Sequence, residues 1–197
     1  IQWIVTIFMI LFGVNFNAYY LILFKKIKKA FSLEEVRWYF IIIISAIAFL
    51  FVNILETSAN ALRALTDASF QVASIITTTG FSTTDFDQWS GACKTVLVLL
   101  MFIGACAGST GGGIKVSRIL IMFKSVVKEV HSYLHPNSVK KIKIEDKPVE
   151  HEVLRSTNVY LITYICIFVV SCFFVSFDEH DLITNFTAVA ATINNIG

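Results

Sequence analysis

Residues 68–84 read Ala68-Ser-Phe-Gln-Val-Ala-Ser-Ile-Ile-Thr-Thr-Thr-Gly-Phe-Ser-Thr-Thr84, an uncharged stretch in which apolar residues are mixed with hydroxyl and amide groups. About ten of these residues would form a helix of about 15 Å, which is half the thickness of a bilayer core. Non-helical backbone is tolerated at membrane depth only where protein buries it or where it lines a water-filled cavity. Between two membrane spans, such a stretch predicts a short helix followed by an extended segment that lines a pore.

The rest of the chain supplies those spans. Its 197 residues are 56% hydrophobic and only 15% charged, whereas soluble domains carry about a quarter charged residues. Uncharged apolar runs near the length of a membrane-spanning helix cover Ile1–Phe24, Trp38–Leu55, Thr95–Ile114 and Ser156–Phe177. We therefore predict an integral membrane protein with four spans. Because the first run has no charged leader and the last element has no stop signal, we expect the chain to be a fragment of a larger protein.

The charges between the runs predict how the spans are oriented. Lysines concentrate in residues 25–37 and 124–155, whereas residues 56–87 and 178–181 are mainly acidic. Basic loops stay in the cytoplasm, so both flanks of residues 68–84 lie outside, and the stretch must enter the membrane and return on the same side. The basic loops are topology signals in the simplest interpretation. A site for anionic lipid or for a cytoplasmic subunit is the alternative.

The end of this re-entrant stretch has the composition of a cation-selective filter, formed by Thr77, Thr78, Thr79, Gly80 and Phe81. Successive backbone carbonyls and a threonine hydroxyl can replace the water around a dehydrated cation. Gly80 can adopt a positive φ, which lets neighbouring carbonyls face one side. A helix that ends here also directs the negative end of its dipole at the cation. The competing interpretation is a polar outer loop whose glycine caps a helix.

A second stretch resembles the first at an offset of 117 residues. Leu182–Gly197 is also uncharged, and it repeats the valine, alanine and isoleucine of positions 72, 73 and 76 at positions 189, 190 and 193. The match predicts an internal repeat of span, re-entrant helix and filter. The second filter would consist of Asn194, Asn195, Ile196 and Gly197.

A glycine-rich segment interrupts the third apolar run, and it comprises Gly108, Ser109, Thr110, Gly111, Gly112, Gly113, Ile114 and Lys115. Each glycine disfavours helix by about 1 kcal/mol relative to alanine, so we predict a break and a flexible loop across the conduction path. A phosphate-binding loop is excluded because Ile114 separates Gly113 from Lys115 and no strand precedes the glycines. Lys115 and Arg118 either extend to the inner interface or lie near the pore.

These motifs resemble the Trk/Ktr potassium-uptake family, in particular its TrkH branch. The resemblance is carried by residues 77–81, 104–115 and 194–197, and also by Gly13-Val14-Asn15-Phe16. It implies an all-α integral membrane fold, built from pseudo-fourfold helix–pore-helix–helix repeats of the potassium-channel type with re-entrant half-helices and extended filters. It also implies potassium in the filters, gating by Gly108–Gly113 and Lys115, and a bacterial inner-membrane location. The implied partners are a second copy of the chain, membrane lipid and cytoplasmic nucleotide-binding regulatory subunits.

The resemblance also implies a domain map. Residues 1–24 would be the last helix of repeat two, 25–36 a cytoplasmic loop, 37–135 the complete repeat three, 136–154 a cytoplasmic linker and 155–197 the start of repeat four. Within repeat three the map has a helix at 38–55, a pore helix at 67–77, a filter at 77–82 and a broken helix at 93–130. Two filters, and a final helix in which the family has an arginine near the pore, fall outside this chain.

Three functions compete at this stage. Gated potassium permeation leads, and we expect neither a nucleotide bound to this chain nor a nucleic-acid partner. A secondary cation symporter coupled to Na⁺ or H⁺ is the alternative, but such proteins usually bury a carboxylate or histidine at mid-membrane, and the apolar runs contain neither. An intramembrane enzyme would need a nucleophile and a base, and we predict that all four histidines lie in loops. The chain is therefore not expected to be an enzyme.

Overall fold

A computed structural model describes residues 1–56, 58–135, 142–144 and 147–196. The helices of this part of the chain are α1 Gln2–Phe12, α2 Phe16–Leu23, α3 Ile27–Ser32, α4 Glu34–Ile54, α5 Ala61–Ile76, α6 Gly91–Ile103, α7 Val116–Leu134, α8 His151–Val175 and α9 Leu182–Ile193. Short 3₁₀ turns lie at Phe86–Gln88, between α5 and α6, and at Ser176–Asp178, directly after α8. Two-residue strands, β1 Lys143–Ile144 and β2 Lys147–Pro148, pair antiparallel.

Two described helices are long and apolar enough to cross a membrane unbroken. They are α4 and the segment His151–Asp178, which joins α8 to the 3₁₀ turn after it. The pair α1 and α2 passes the same test together, but its axes meet at 92°. The single helix expected over residues 1–24 is therefore two helices. The hydropathy of a run shows that its residues are apolar, but it does not show whether they form one straight helix or two helices at an angle. The prediction of a single helix was therefore wrong.

The bend between α1 and α2 has a local cause. The Asn15 side chain caps α2 by accepting a hydrogen bond from the Asn17 amide at 2.8 Å, which starts a new helix in a new direction. The Tyr39 hydroxyl packs into the bend and donates to the Ile10 carbonyl at 3.0 Å. A Cβ atom on Gly13 would lie 2.1 Å from that hydroxyl oxygen, so only glycine fits.

Several boundaries of the expected map also shift. The re-entrant helix α5 begins at Ala61 rather than at residue 67, because the Asn60 side chain accepts from the Arg63 amide at 2.8 Å and caps the helix there. Helices α7 and α8 extend beyond the apolar runs and include His131 and His151, so the prediction that all histidines lie in loops was wrong.

Helix α5 lies at the centre of the packing. It is buried continuously from Asp67 to Ile76, and it packs against α1, α4 and α6. Helix α8, by contrast, exposes large apolar side chains such as Ile162 and Phe174, which are 64% and 66% exposed. The short polar helix is thus enclosed by protein, whereas the long apolar helix presents the kind of surface that faces lipid.

Candidate functional site

The backbone turns sharply where α5 ends. Thr78 has a φ of 55°, a left-handed conformation that is rare for a β-branched residue, and Gly80 has a φ of 78°. The amide of Thr79 donates back to the Ser74 carbonyl at 2.8 Å, which closes the turn. The chain after Ile76 therefore leaves the helix axis and runs back along the side of α5.

Two buried side chains of α5 hold this returning segment. Ser74 Oγ donates to the Phe81 carbonyl at 2.6 Å, and Gln71 Nε2 donates to Ser82 Oγ at 3.0 Å. Gln71 is 1% exposed and Ser74 is fully buried. Our sequence analysis missed both residues, although they are three positions apart and are the only polar residues of segment 70–76, which is a usable signal.

The carbonyl oxygens of the turn are largely unpaired. Within the described part of the chain, those of Thr77, Thr78, Thr79 and Gly80 accept no hydrogen bond. The Thr77 hydroxyl donates to the Ala73 carbonyl at 2.6 Å and lies 2.9 Å from the Thr79 hydroxyl. The Phe81 carbonyl already accepts a hydrogen bond from Ser74. Of the five predicted filter residues, Phe81 therefore has the carbonyl that is least available to a cation. Four successive carbonyls and two hydroxyls thus gather at the negative end of α5.

The second re-entrant helix, α9, ends in the same way. Asn195, like Thr78 at the 117-residue offset, has a φ of 57°, and the Ile196 amide donates to the Ala191 carbonyl at 2.9 Å. Asn194 Nδ2 donates to the Ala190 carbonyl at 2.8 Å, which reproduces the bond of the Thr77 hydroxyl to Ala73.

Asn194 has an additional partner that the first turn lacks. Its Oδ1 accepts from the Tyr164 hydroxyl of α8 at 2.9 Å, and the Asn194 side chain is fully buried. Gly197, the last residue of the predicted second filter, lies outside the described residues.

The glycine-rich segment forms a loop that closes on itself between α6 and α7. The amides of Ile114, Lys115 and Val116 donate at 3.0–3.1 Å to the carbonyls of residues 102, 103 and 105. A Cβ atom on Gly104, whose φ is 68°, would lie 2.5 Å from the Gly112 carbonyl oxygen. Residues 104–115, which we call the intramembrane loop, therefore leave the end of α6 and come back beside it before α7 begins.

The tip of the intramembrane loop lies against both turns of the predicted filters, residues 77–80 and 194–196, which we call the filter turns. The Gly112 amide donates to Thr78 Oγ1 at 2.6 Å, and a Cβ atom on Gly112 would lie 2.3 Å from the Asn194 carbonyl oxygen. A Cβ atom on Gly111 would lie 3.1 Å from the Thr77 carbonyl oxygen. Because the backbone approaches this closely, side chains larger than hydrogen would push the loop away from the turns.

The first half of the loop contacts the bend between α1 and α2. The Gly108 carbonyl accepts from the Phe16 amide at 3.2 Å, and Thr110 Oγ1 donates to the Phe12 carbonyl at 3.3 Å. Ser109 Oγ donates within the loop to the Cys106 carbonyl at 2.6 Å. The loop between α6 and α7 is therefore hydrogen-bonded to the α1–α2 bend.

The two basic residues beyond the glycines both engage the loop itself. The Lys115 ammonium donates to the Gly111 carbonyl, and Arg118 donates to the Ile114 carbonyl at 3.0 Å. The Arg118 guanidinium also lies 4.1 Å from the centroid of the Tyr160 ring, a cation–π contact. Each side chain therefore bonds a carbonyl four residues before it in the chain.

One further residue of the site was not singled out by our sequence analysis. Glu35, in the first turn of α4, is 7% exposed. Its carboxylate accepts from the Ala107 amide at 2.6 Å, from the Ser117 amide at 3.2 Å and from Asn15 Nδ2 at 3.1 Å. The only signal in the sequence is a pair of glutamates at the start of a span, which does not distinguish Glu35 from Glu34.

Comparison with known proteins identifies relatives of the whole chain. Residues 1–197 match the family TrkH, described as cation transport protein. The Trk system potassium uptake protein TrkH of Salmonella typhimurium is 33% identical over all of this chain and 41% of its own length, and TrkG of Escherichia coli is 31% identical over 96% and 40%.

A solved structure gives the same result. The potassium transporter TrkH from Vibrio parahaemolyticus superposes with a TM-score of 0.92 at 31% identity, over 100% of this chain and 43% of that protein. The chain thus spans about two fifths of the length of these relatives. The likeness confirms the predicted fold class, an all-α membrane fold of the potassium-channel type.

Proposed function

Because the chain belongs to the TrkH family of cation transport proteins, we propose that it forms part of a potassium-conducting pore. It is a multi-pass protein of the bacterial inner membrane and not an enzyme. The observation that carries the proposal is a row of carbonyl oxygens, from Thr77 to Gly80 at the end of a buried helix, that accept no hydrogen bond from the described residues. Carbonyls that have no hydrogen-bond donor, at the negative end of a helix dipole, attract a cation.

The proposed filter is therefore built from backbone, with side chains that hold it in shape. Thr77, Thr78, Thr79 and Gly80 present carbonyls, and Ser74 fixes the segment through Phe81. Asn194, Asn195 and Ile196, with Gly197, form the second filter in this proposal. The matching hydrogen bonds at the ends of α5 and α9 support it, because a pore with approximate rotational symmetry needs equivalent turns around one axis.

We assign gating to the intramembrane loop. Gly112 contacts Thr78 and the Asn194 carbonyl, so the loop lies against two filter turns at once. An ion that leaves the turns on this side must pass the loop. Three consecutive glycines allow the loop to move, whereas Lys115, through its bond to Gly111, adds a positive charge that opposes cation passage.

The remaining parts of the assembly are also proposals. The other filters of a fourfold pore would come from repeats outside this chain, and two copies of the complete protein would form a homodimer. Cytoplasmic nucleotide-binding subunits would act on the intramembrane loop through the lysine-rich cytoplasmic segments. The exposed apolar face of α8 would contact membrane lipid.

A flux measurement on the complete protein tests the proposal. Purified protein in potassium-loaded vesicles should release potassium along its gradient, and more readily than sodium, with no other ion gradient present. A symporter would instead require a Na⁺ or H⁺ gradient for potassium movement. Absence of potassium flux, or equal flux of sodium, would refute the proposed filter.

A further inference from the structure

A single carboxylate oxygen joins the two ends of the glycine-rich segment. Glu35 Oε1 accepts from the amide of Ala107, directly before Gly108, and from the amide of Ser117, two residues after Lys115. The distances are 2.6 and 3.2 Å, and the side chain is 7% exposed. The loop is therefore tied at its entrance and at its exit to the same atom of another helix.

The other oxygen of Glu35 connects this point to the bend between α1 and α2. Oε2 accepts from Asn15 Nδ2 at 3.1 Å. The orientation of the Asn15 amide is set by its second role, because its Oδ1 accepts from the Asn17 amide and caps α2. Asn15 can therefore only donate to residue 35.

The site requires a group that accepts and does not donate. A carboxylate meets this requirement, since both of its oxygens are acceptors. Ser117 also lies in the first turn of α7, where the positive end of the helix dipole favours a negative charge. Glutamine at position 35 would turn an NH₂ group towards the NH₂ group of Asn15, and it would remove the charge-assisted part of the bonds to both backbone amides.

We propose that Glu35 is a positioning residue that holds the intramembrane loop in its closed position against the filter turns. The inference rests on the proposed function, in which this loop is the gate. With both ends tied, the segment between Ala107 and Ser117 has little freedom, and its tip stays on Thr78. Release of the carboxylate removes one hydrogen bond from each end of the loop at the same time, and it also removes the Asn15 link to the α1–α2 bend, although the bonds from Phe16 and Thr110 remain.

The principal test is a set of variants in the complete protein, reconstituted without regulatory subunits and recorded as single channels in potassium. Glu35→Gln should raise the open probability about tenfold, since charge-assisted hydrogen bonds contribute more than neutral ones. Glu34→Gln is the matched control and should behave as the wild type, because Glu34 pairs with Lys124 of α7 at 2.6 Å. An open probability of Glu35→Gln equal to that of the wild type overturns the inference.

A double variant separates positioning from a general loss of structure. In Asn15→Asp/Glu35→Gln the donor and acceptor roles are exchanged, since aspartate can still cap α2 while it accepts from the glutamine amide. This variant restores the contact between residues 15 and 35 but leaves neutral hydrogen bonds to the two backbone amides, so its open probability should fall between those of Glu35→Gln and the wild type. Asn15→Asp alone sets two carboxylates face to face and should open the loop. An open probability of the double variant at or above that of Glu35→Gln contradicts the proposed geometry.

Hydrogen–deuterium exchange measures how well the loop amides are protected, and it does not depend on transport. Amides of Gly108–Gly113 should exchange about tenfold faster in Glu35→Gln than in the wild type, whereas those of α5 should not change. If the wild type conducts no potassium, the proposed function fails, but faster loop exchange would still support the tie. If the loop amides exchange at the wild-type rate in Glu35→Gln, the proposed role of Glu35 is wrong, whatever the transport result. Should Glu35→Gln not accumulate, Asn15→Asp decides: its open probability and the exchange of its loop amides should both rise, and wild-type values for both overturn the inference.

Discussion

The Gly112 amide donates a hydrogen bond of 2.6 Å to Thr78 Oγ1, which joins the tip of the intramembrane loop to the first filter turn. Thr78 is also the residue with a φ of 55°. A left-handed conformation costs a β-branched residue about 1–2 kcal/mol, and such strain is retained where the surroundings impose it. The strained turn and the loop are therefore parts of one arrangement.

This bond predicts the effect of changing Thr78. Thr78→Val keeps the shape of the side chain but removes the acceptor, at a cost of about 1 kcal/mol to the closed loop, so the open probability should rise about fivefold. Single-channel recording of the complete protein measures it. Thr78→Ser should remain near the wild type, and so should Thr83→Val, because Thr83 is exposed. Equal open probabilities for the valine and serine variants would show that the bond does not hold the loop.

Gly112 should tolerate no side chain. In Gly112→Ala the new Cβ would lie 2.3 Å from the Asn194 carbonyl oxygen, so the loop must shift from the filter turns at a cost of about 1–3 kcal/mol. We expect a lower melting temperature and a constitutive potassium leak. Gly91→Ala is the control, since nothing lies within 4 Å of its added Cβ. A Gly112→Ala protein that melts and closes like the control would contradict this packing.

Gly80 should determine selectivity. Its φ of 78° costs an alanine about 1–2 kcal/mol, and relaxation of the backbone would change the directions of the neighbouring carbonyls. Gly80→Ala should therefore lower the preference for potassium over sodium, read as a shift of the reversal potential with the two ions on opposite sides. Gly91→Ala again serves as the control. An unshifted reversal potential would argue that these carbonyls do not select the ion.

The second turn should depend on Tyr164. Tyr164→Phe removes the hydroxyl that donates to the buried Asn194 Oδ1 at 2.9 Å, and a buried acceptor without its donor costs about 1–3 kcal/mol. We expect a lower melting temperature in detergent. Tyr160→Phe is the matched control on the same helix, because the ring that contacts Arg118 remains. Similar melting temperatures for the two phenylalanine variants would disprove a special role for the Tyr164 hydroxyl.

The local features of the site could be predicted from the sequence because composition and spacing carry them. Residues 68–84 are too polar and too short for a span, and Gly80 is the residue type that a positive φ favours. The offset of 117 residues, found from a few apolar matches, recurs in the paired conformations of Thr78 and Asn195.

The contacts between distant segments could not be predicted in this way. Glu35 meets Ala107 and Ser117 across more than seventy residues of sequence, and nothing local separates it from Glu34. The bend at Gly13 depends on the Tyr39 hydroxyl, which comes from the next span. In both cases the signal is a tertiary partner, and hydropathy and periodicity contain no information about partners.

Anomalous diffraction from crystals of the complete protein grown in rubidium, which substitutes for potassium, tests the filter most directly. We predict anomalous peaks within coordination distance of the carbonyl oxygens of Thr77–Gly80 and of Asn194–Ile196, on one common axis. Peaks only at other positions, or none at these turns in crystals that diffract well, would contradict the account.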